Sequence, residues 1–154
     1  MARHTERHHL PYTAQQLFDL VADVERYPDF LPWLAATRIV RREGNTVWVD
    51  MVIGTNILRK RFTSKAVLDR PKRIDIRSQD VLFERYDQTW TFQPAEDGGT
   101  IVEFHVDFAF RSRLIQLMMG AFLAEAARTM VSAFRRRARQ IYAKSEGASE
   151  GAIS

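Results

Sequence analysis

Leu10-Pro-Tyr-Thr-Ala-Gln-Gln-Leu-Phe-Asp-Leu-Val-Ala-Asp-Val-Glu-Arg-Tyr-Pro-Asp-Phe-Leu-Pro-Trp33 is the stretch on which the fold turns, because its parts have separable physical tasks. It closes a strand, starts a helix and then breaks it. Thr13 with Gln16 three residues on is a capping box, in which each side chain satisfies a backbone N–H that the first turn leaves free; Tyr12 with Leu17 has the spacing of a hydrophobic staple. The helix is expected to begin at Ala14. Leu17, Phe18, Val21 and Val24 recur at helical spacing as one apolar stripe, while Asp19, Asp23 and Glu25 read as a solvated face. Pro28 and Pro32 stop regular helix. Tyr27, Phe30, Leu31 and Trp33 then crowd a proline-bounded segment that needs something to cover.

Outward from Trp33 the pattern turns to period two. Ala36 to Glu43 reads as a strand, Gly44-Asn45 as a turn, and Val47, Val49, Met51 and Ile53 as one face of a longer strand. After a turn at Gly54 to Asn56, Leu58, Phe62, Ala66 and Leu68 oppose Arg59, Arg61, Thr63 and Lys65, the inside and outside split of an antiparallel sheet with one wet face. Arg73 to Gln79 alternates again, and Tyr86, Trp90 and Phe92 continue the aromatic face until Pro94 and Asp97-Gly98-Gly99 close a hairpin. Val102, Phe104, Val106, Phe108 and Phe110 mark the last strand. From Ser112 to about Lys144 the period is helical, long enough at about 1.5 Å per residue to cross a small sheet. The expectation is α+β: a curved antiparallel sheet of about seven strands wrapped around one long C-terminal helix, with two short helices after strand 1 and an internal space between the layers. One domain is expected over residues 1–145. Residues 146–154, rich in Gly, Ala and Ser, read as a disordered tail.

The 154 residues, 45% hydrophobic and 27% charged, suit one globular core and not two. The absence of cysteine excludes disulfides, thiol catalysis and zinc–thiolate sites. No run approaches 18 uninterrupted apolar residues and no apolar signal region follows Met1, so a cytoplasmic protein is expected. The formal charge of +4 permits attraction to anionic lipid or RNA without choosing between them.

The long helix has two unlike halves. Leu123, Ala127, Met130, Phe134, Ala138 and Ile141 form one stripe of the second half, with Arg128, Arg135, Arg136 and Arg139 away from it. In the first half Ile115 and Met119 continue that stripe, yet Leu114, Leu117, Met118 and Ala121 occupy the side that carries arginine further on. A helix apolar all round is covered by another part of the chain or presents a patch to a membrane or partner, here flanked by Arg111 and Arg113.

Candidate chemistry is sparse. His4 and His8 lie about 13 Å apart if the segment is extended, too far for one metal ion, and His8 and His9 point to opposite faces. Glu103, His105 and Asp107 share the polar face of the last strand and read as solvated. There is no Gly-x-Ser-x-Gly, phosphate loop or dinucleotide fingerprint, so no catalytic set, metal or required cofactor is expected. The basic clusters, of which Arg135, Arg136 and Arg139 are the densest, carry no RNA-recognition, KH or zinc-knuckle signature; no DNA partner is expected, and an RNA role rests on charge alone.

Pro11-Tyr-Thr-Ala-Gln-Gln-Leu-Phe18 followed by Asp23-Val-Glu-Arg-Tyr-Pro-Asp-Phe-Leu-Pro-Trp33 resembles the coenzyme Q-binding branch of the START-like superfamily, the polyketide cyclase and lipid-transport group. The likeness extends more weakly through Trp90-Thr91-Phe92, Glu103 to Phe110 and the terminal helix. It departs at Asp80-Val81-Leu82-Phe83, where relatives carry a glycine-containing turn. The resemblance implies a helix-grip fold and a hydrophobic ligand, ubiquinone for this branch, in a cavity to which Phe18, Tyr27, Phe30, Leu31, Trp33, Phe62, Trp90, Phe92, Phe104, Phe108, Phe122 and Met130 converge. Tyr27 to Trp33 would form its lid or rim. It also implies a respiratory role for a quinone chaperone or lipid-transfer protein, with Leu114, Leu117 and Met118 as an entrance at the inner face of the cell membrane. Two rivals come with it. Bacterial relatives include the ribosome-association toxin family, which would use the basic surface, and the superfamily also contains cyclase and dehydrase enzymes.

Overall fold

Alternation of apolar and polar side chains gives the central strands one dry and one wet face, and in the computed structural model those dry faces line the concavity of a single sheet, whose edge strand β1 is polar on both faces. β1 (Ala2–Leu10) is followed by α1 (Ala14–Ala22) and a 3-10 helix (Val24–Asp29). Then come β2 (Leu34–Glu43), β3 (Thr46–Gly54), β4 (Arg59–Asp69), β5 (Arg73–Arg77), β6 (Phe83–Pro94), β7 (Thr100–Phe110) and α2 (Arg113–Ile153). The structure describes residues 2–142 in full and, over 143–153, only the backbone course of α2; the side chains of the segment expected as a tail over 146–154 lie outside the described residues. All neighbours pair antiparallel in the order β1-β7-β6-β5-β4-β3-β2, giving the curved helix-grip sheet.

The α1 start is built as its sequence indicates. Gln16 N donates to Thr13 Oγ1 at 3.1 Å while Thr13 N donates to Gln16 Oε1 at 2.9 Å, and Leu17, Phe18 and Val21 are buried. Val24 belongs to the 3-10 helix, where Pro28 leaves no regular α-helical ladder. The β3–β4 turn needs glycine: Gly54 has φ of 132°, and a Cβ there would lie 2.0 Å from Leu58 O. β5 ends at Arg77, short of the expected Gln79, because Ser78 and Asp80 turn the chain. Asp80 makes the turn through its acceptors: its carboxylate accepts from Thr63 N at 3.1 Å and Leu82 N at 3.0 Å, and its carbonyl accepts from Phe83 N at 3.1 Å.

α2 crosses the concave face, touching β7, β1 and α1. Over Arg113–Tyr142 it has the length and apolarity of a membrane-crossing helix, yet Met119, Leu123, Val131, Phe134 and Ala138 are seated in the core. Ile141, expected on the buried stripe, is exposed. Tyr142 closes the end instead, packing on Tyr12 and donating from its hydroxyl to Gln16 O at 2.7 Å.

Candidate functional site

Between the concave face and α2 lies a cavity of about 50 Å³. Tyr27, Leu31, Trp33, Phe62, Phe104, Phe108 and Met130, all expected there, line it. So do residues that were not singled out: Leu34, Met51, Ile53, Ile76, Tyr86, Gln88 and Val106 from the sheet side, with Leu123, Ala126 and Ala127 from α2. The two alanines give the helix its shallow side. Ligand pockets run from roughly 300 to 1,000 Å³, so this space holds water-sized molecules and no quinone ring in the conformation described.

The remaining expected residues sit elsewhere in the same core. Phe18 packs edge-on against Phe92 at 5.8 Å with the Arg70 guanidinium 4.5 Å from its ring centre. Trp90 lies between Phe104 and Phe134, at 4.6 and 5.0 Å. Phe30 packs on Tyr27 and Phe134 under Arg137. Phe122 is half-buried against the core. These five therefore fill the layer between sheet and helix and do not line the cavity.

One polar strip enters the cavity wall. The Trp90 indole Nε1–H donates to Gln88 Oε1 at 2.9 Å, and Gln88 Nε2 donates to the Tyr86 hydroxyl oxygen at 2.9 Å. Indole can only donate, which fixes which end of the Gln88 amide faces Tyr86. Burial pushes the Tyr86 hydroxyl up to about 12, outweighing the lowering by the Gln88 hydrogen bond. Burial likewise raises Tyr27, whose hydroxyl donates to Val21 O. Both phenols stay protonated at neutral pH. The alternation Tyr86-Gln88-Trp90 puts Gln88 on the inward face and was the available signal for it.

β1 and α2 are clasped by charge. His4 Nε2 and His8 Nε2 lie 2.8 and 2.9 Å from the two oxygens of Glu6, and Arg135 Nη2 donates to His8 Nδ1 at 2.9 Å. Burial raises the Glu6 carboxyl, but the hydrogen bonds to His8 and His4 outweigh it and hold it below the usual range. Arg135, expected on a free basic surface, is thus half-buried and engaged; Arg136 and Arg139 are exposed. Among the described residues no group of three or more His, Cys, Asp or Glu is placed to hold a metal.

Two surfaces stand out. At the end of the sheet where β3 meets β4, β5 meets β6 and β7 leads into α2, Leu114, Leu117 and Met118 are 65%, 82% and 55% exposed, so no early helix covers them. Ile57 and Val81, 96% and 80% exposed, project from turns at the same end. On the convex face, Arg41, Trp48, Lys65 and Arg77 stand in one cross-strand row over β2 to β5. Arg41 and Lys65 lie 4.5 and 5.7 Å from the Trp48 ring centre. Beside them runs a groove of about 370 Å³ lined also by Thr63, Gln79 and Asp80.

A family model described as polyketide cyclase / dehydrase and lipid transport matches residues 10–135. The ribosome association toxin RatA of Pseudomonas aeruginosa is 32% identical over 143 residues, 92% of this chain and 99% of that protein. The mitochondrial coenzyme Q-binding protein COQ10 homolog B of Xenopus laevis is 26% identical over 141 residues, 89% of this chain and 58% of that one. The solution structure of an 18 kDa protein from Caulobacter crescentus is similar with a TM-score of 0.71 at 36% identity, covering 93% of this chain and 99% of its own.

Proposed function

This chain belongs to the polyketide cyclase / dehydrase and lipid transport family, and from that premise we propose that it takes a polyprenyl quinone such as ubiquinone between its sheet and α2, as a carrier and not a catalyst. The observation that carries the reading is the pairing of an apolar cavity, polar only at Tyr86 and Gln88 among its sheet-side residues, with an exposed apolar rim at one end of the same sheet. An isoprenoid tail needs the apolar walls, and a ring with carbonyl oxygens needs few polar groups. Two phenols held in the neutral form offer no general base at neutral pH, which favours carriage over cyclase chemistry. The cavity of about 50 Å³ must widen to accept a ring, and the segment facing Ala126 and Ala127 is where the helix gives most room. Native mass spectrometry and solvent extraction of the purified protein test this: a quinone should accompany it, and Ala127→Phe should abolish the association while the chain still folds. Protein that takes up no quinone from loaded vesicles overturns the reading.

A second reading, ribosome association, is favoured by the Arg41–Trp48–Lys65–Arg77 row: Arg41 and Arg77 are ion-paired with Glu43 and Asp87, but both pairs are exposed and can be exchanged for phosphates, and cations beside an aromatic ring are the arrangement that holds single-stranded nucleic acid. Binding would weaken steeply with salt, because each neutralised phosphate adds about 0.7 to 0.9 to the logarithmic slope. Co-sedimentation with ribosomes at low and moderate salt tests it. The Trp48→Ala, Lys65→Glu double variant should lose co-sedimentation, as should Arg136→Glu with Arg139→Glu if α2 takes part; Arg135 is left intact because it holds β1. Wild-type protein that stays in the supernatant at low salt excludes this reading.

A further inference from the structure

Among the described residues, every large apolar side chain that is more than half exposed stands at one end of the sheet: Ile57 on the β3–β4 turn, Val81 on the β5–β6 turn, and Leu114, Leu117 and Met118 at the start of α2. These elements form one continuous rim. The Asp80 carboxylate takes Thr63 N of β4 at 3.1 Å and Arg111 N donates to Leu82 O at 3.1 Å, so the Val81 turn bridges β4 to the start of α2. The turns at the other end, Gly44-Asn45, Arg70-Pro71-Lys72 and Asp97-Gly98-Gly99, consist of polar residues, glycine and proline. Arg59, Lys60, Arg111 and Arg113 fringe the apolar rim, and none of the four is ion-paired among the described residues. Their carboxylate neighbours are Asp80, whose oxygens already take Thr63 N and Leu82 N, and the exposed Glu84. The rim thus combines apolar tips with an excess of unpaired positive charge.

We propose that this end of the molecule is a docking surface for an anionic phospholipid bilayer, with Ile57, Val81 and Leu117 entering the acyl region and Arg59, Lys60, Arg111 and Arg113 meeting lipid phosphates. The exposed side chains of the rim are not aromatic, so they offer apolar area to a bilayer and no ring on which a nucleobase could stack. A second copy of the chain meeting this end about a two-fold axis would set the four cations against their own images, which disfavours a dimer. Anionic headgroups gain from each of the four instead, since a basic residue near such a surface strengthens binding by about fivefold. Arginine and lysine stems lie along apolar neighbours while their charged ends stay at headgroup level. Leu34, Ile53, Phe62 and Phe108 of the cavity wall belong to the same end of their strands, so docking end-on turns that end of the cavity towards the bilayer. The inference adds to the carrier reading the surface at which cargo would be exchanged, and it does not depend on that reading, because the contacts are made to phospholipid alone.

Flotation of the full chain with quinone-free vesicles is the test. The protein should float with phosphatidylcholine–phosphatidylglycerol vesicles and bind pure phosphatidylcholine at least about tenfold more weakly, and added salt should weaken the first binding. Ile57→Ser with Val81→Ser should lower binding to the mixed vesicles at least about tenfold; both side chains project from turns, so the thermal midpoint should stay that of the wild type. Lys60→Glu with Arg113→Glu should also lower it at least about tenfold. A carboxylate at position 113 suits the N-terminus of α2, so that loss cannot come from an unwound helix. Trp48→Ala, on the convex face, should bind as the wild type does. Equal binding to neutral and anionic vesicles, wild-type binding by folded Ile57→Ser/Val81→Ser, or loss of binding in Trp48→Ala overturns the inference. A wild-type dimer that Ile57→Ser/Val81→Ser converts to monomer overturns it as well, by giving the surface to a second copy. Quinone recovered with the purified protein is a separate readout, so none of these outcomes decides the ligand reading.

Discussion

At the scale of single residues, the cavity's small volume decides what a truncation does. Phe104 is fully buried, packs on Trp90 at 4.6 Å and borders a space of about 50 Å³. Phe104→Ala should therefore lower stability by about 3–5 kcal/mol, as expected for a close-packed aromatic side chain, and not by the smaller amount a large void would allow. Urea midpoints of the two proteins measure it. Phe62, Phe104 and Phe108 were legible as cavity residues because each sits on an inward position of an alternating strand near the middle of the sheet. Trp90 and Phe92 hold inward positions too and do not reach the cavity. Alternation reports which face a side chain takes and is silent on how far along the strand the helix leaves space. Gln88 was legible in its direction and illegible in its chemistry, which depends on the indole beside it.

At the scale of elements, the first half of α2 is the region where sequence left a choice and the packing made it. Leu114, Leu117 and Met118 face solvent, so replacing all three by Ser should cost little stability, whereas in a buried site each leucine alone would cost about 1.5–3 kcal/mol. If the patch is the entrance, vesicle binding and quinone transfer should fall in the folded variant. Unchanged transfer by a folded variant would remove the entrance from that helix. The sequence could not settle this because coverage depends on where α1 and the loops finally lie. α1 packs towards the other end of α2, where Tyr12 meets Tyr142. The Asp80 turn is the converse case: its residues carry no glycine where the resemblance led one to be expected, yet carboxylate and carbonyl acceptors produce a turn.

At the scale of the whole molecule, the charge and the cavity make separate demands. The basic row lies on the convex side and the cavity on the concave side of one sheet, so variants of Trp48 and of Ala127 should segregate, each affecting one activity and sparing the other. If the proposed quinone is the ligand, a space of about 50 Å³ is too small for its ring and uptake has to wait for opening. Stopped-flow rates of quinone uptake should rise with ligand concentration and then level off at the opening rate; a strictly linear dependence would mean the open form already dominates. Fold class, strand number and the long helix were readable because they rest on periodicity. Cavity size was not, since it is a small difference between the volume the sheet encloses and the volume that aromatic side chains occupy.

The pairing of β1 with β7 joins segments about a hundred residues apart, as in the contact between Thr5 and His105. During synthesis β1 is therefore made long before its partner, and at about 5–20 residues per second it waits several seconds with no strand beside it. Its alternation is unusually polar for a strand that ends half-buried. His4, Glu6 and His8 occupy the positions that later face α2, so the waiting segment offers no apolar row on which two nascent chains could pair. Three neighbouring aliphatic residues there would suit the finished sheet and expose the unfinished one to aggregation, and pulse-labelled hydrogen exchange on refolding should find β1 among the last strands to gain protection.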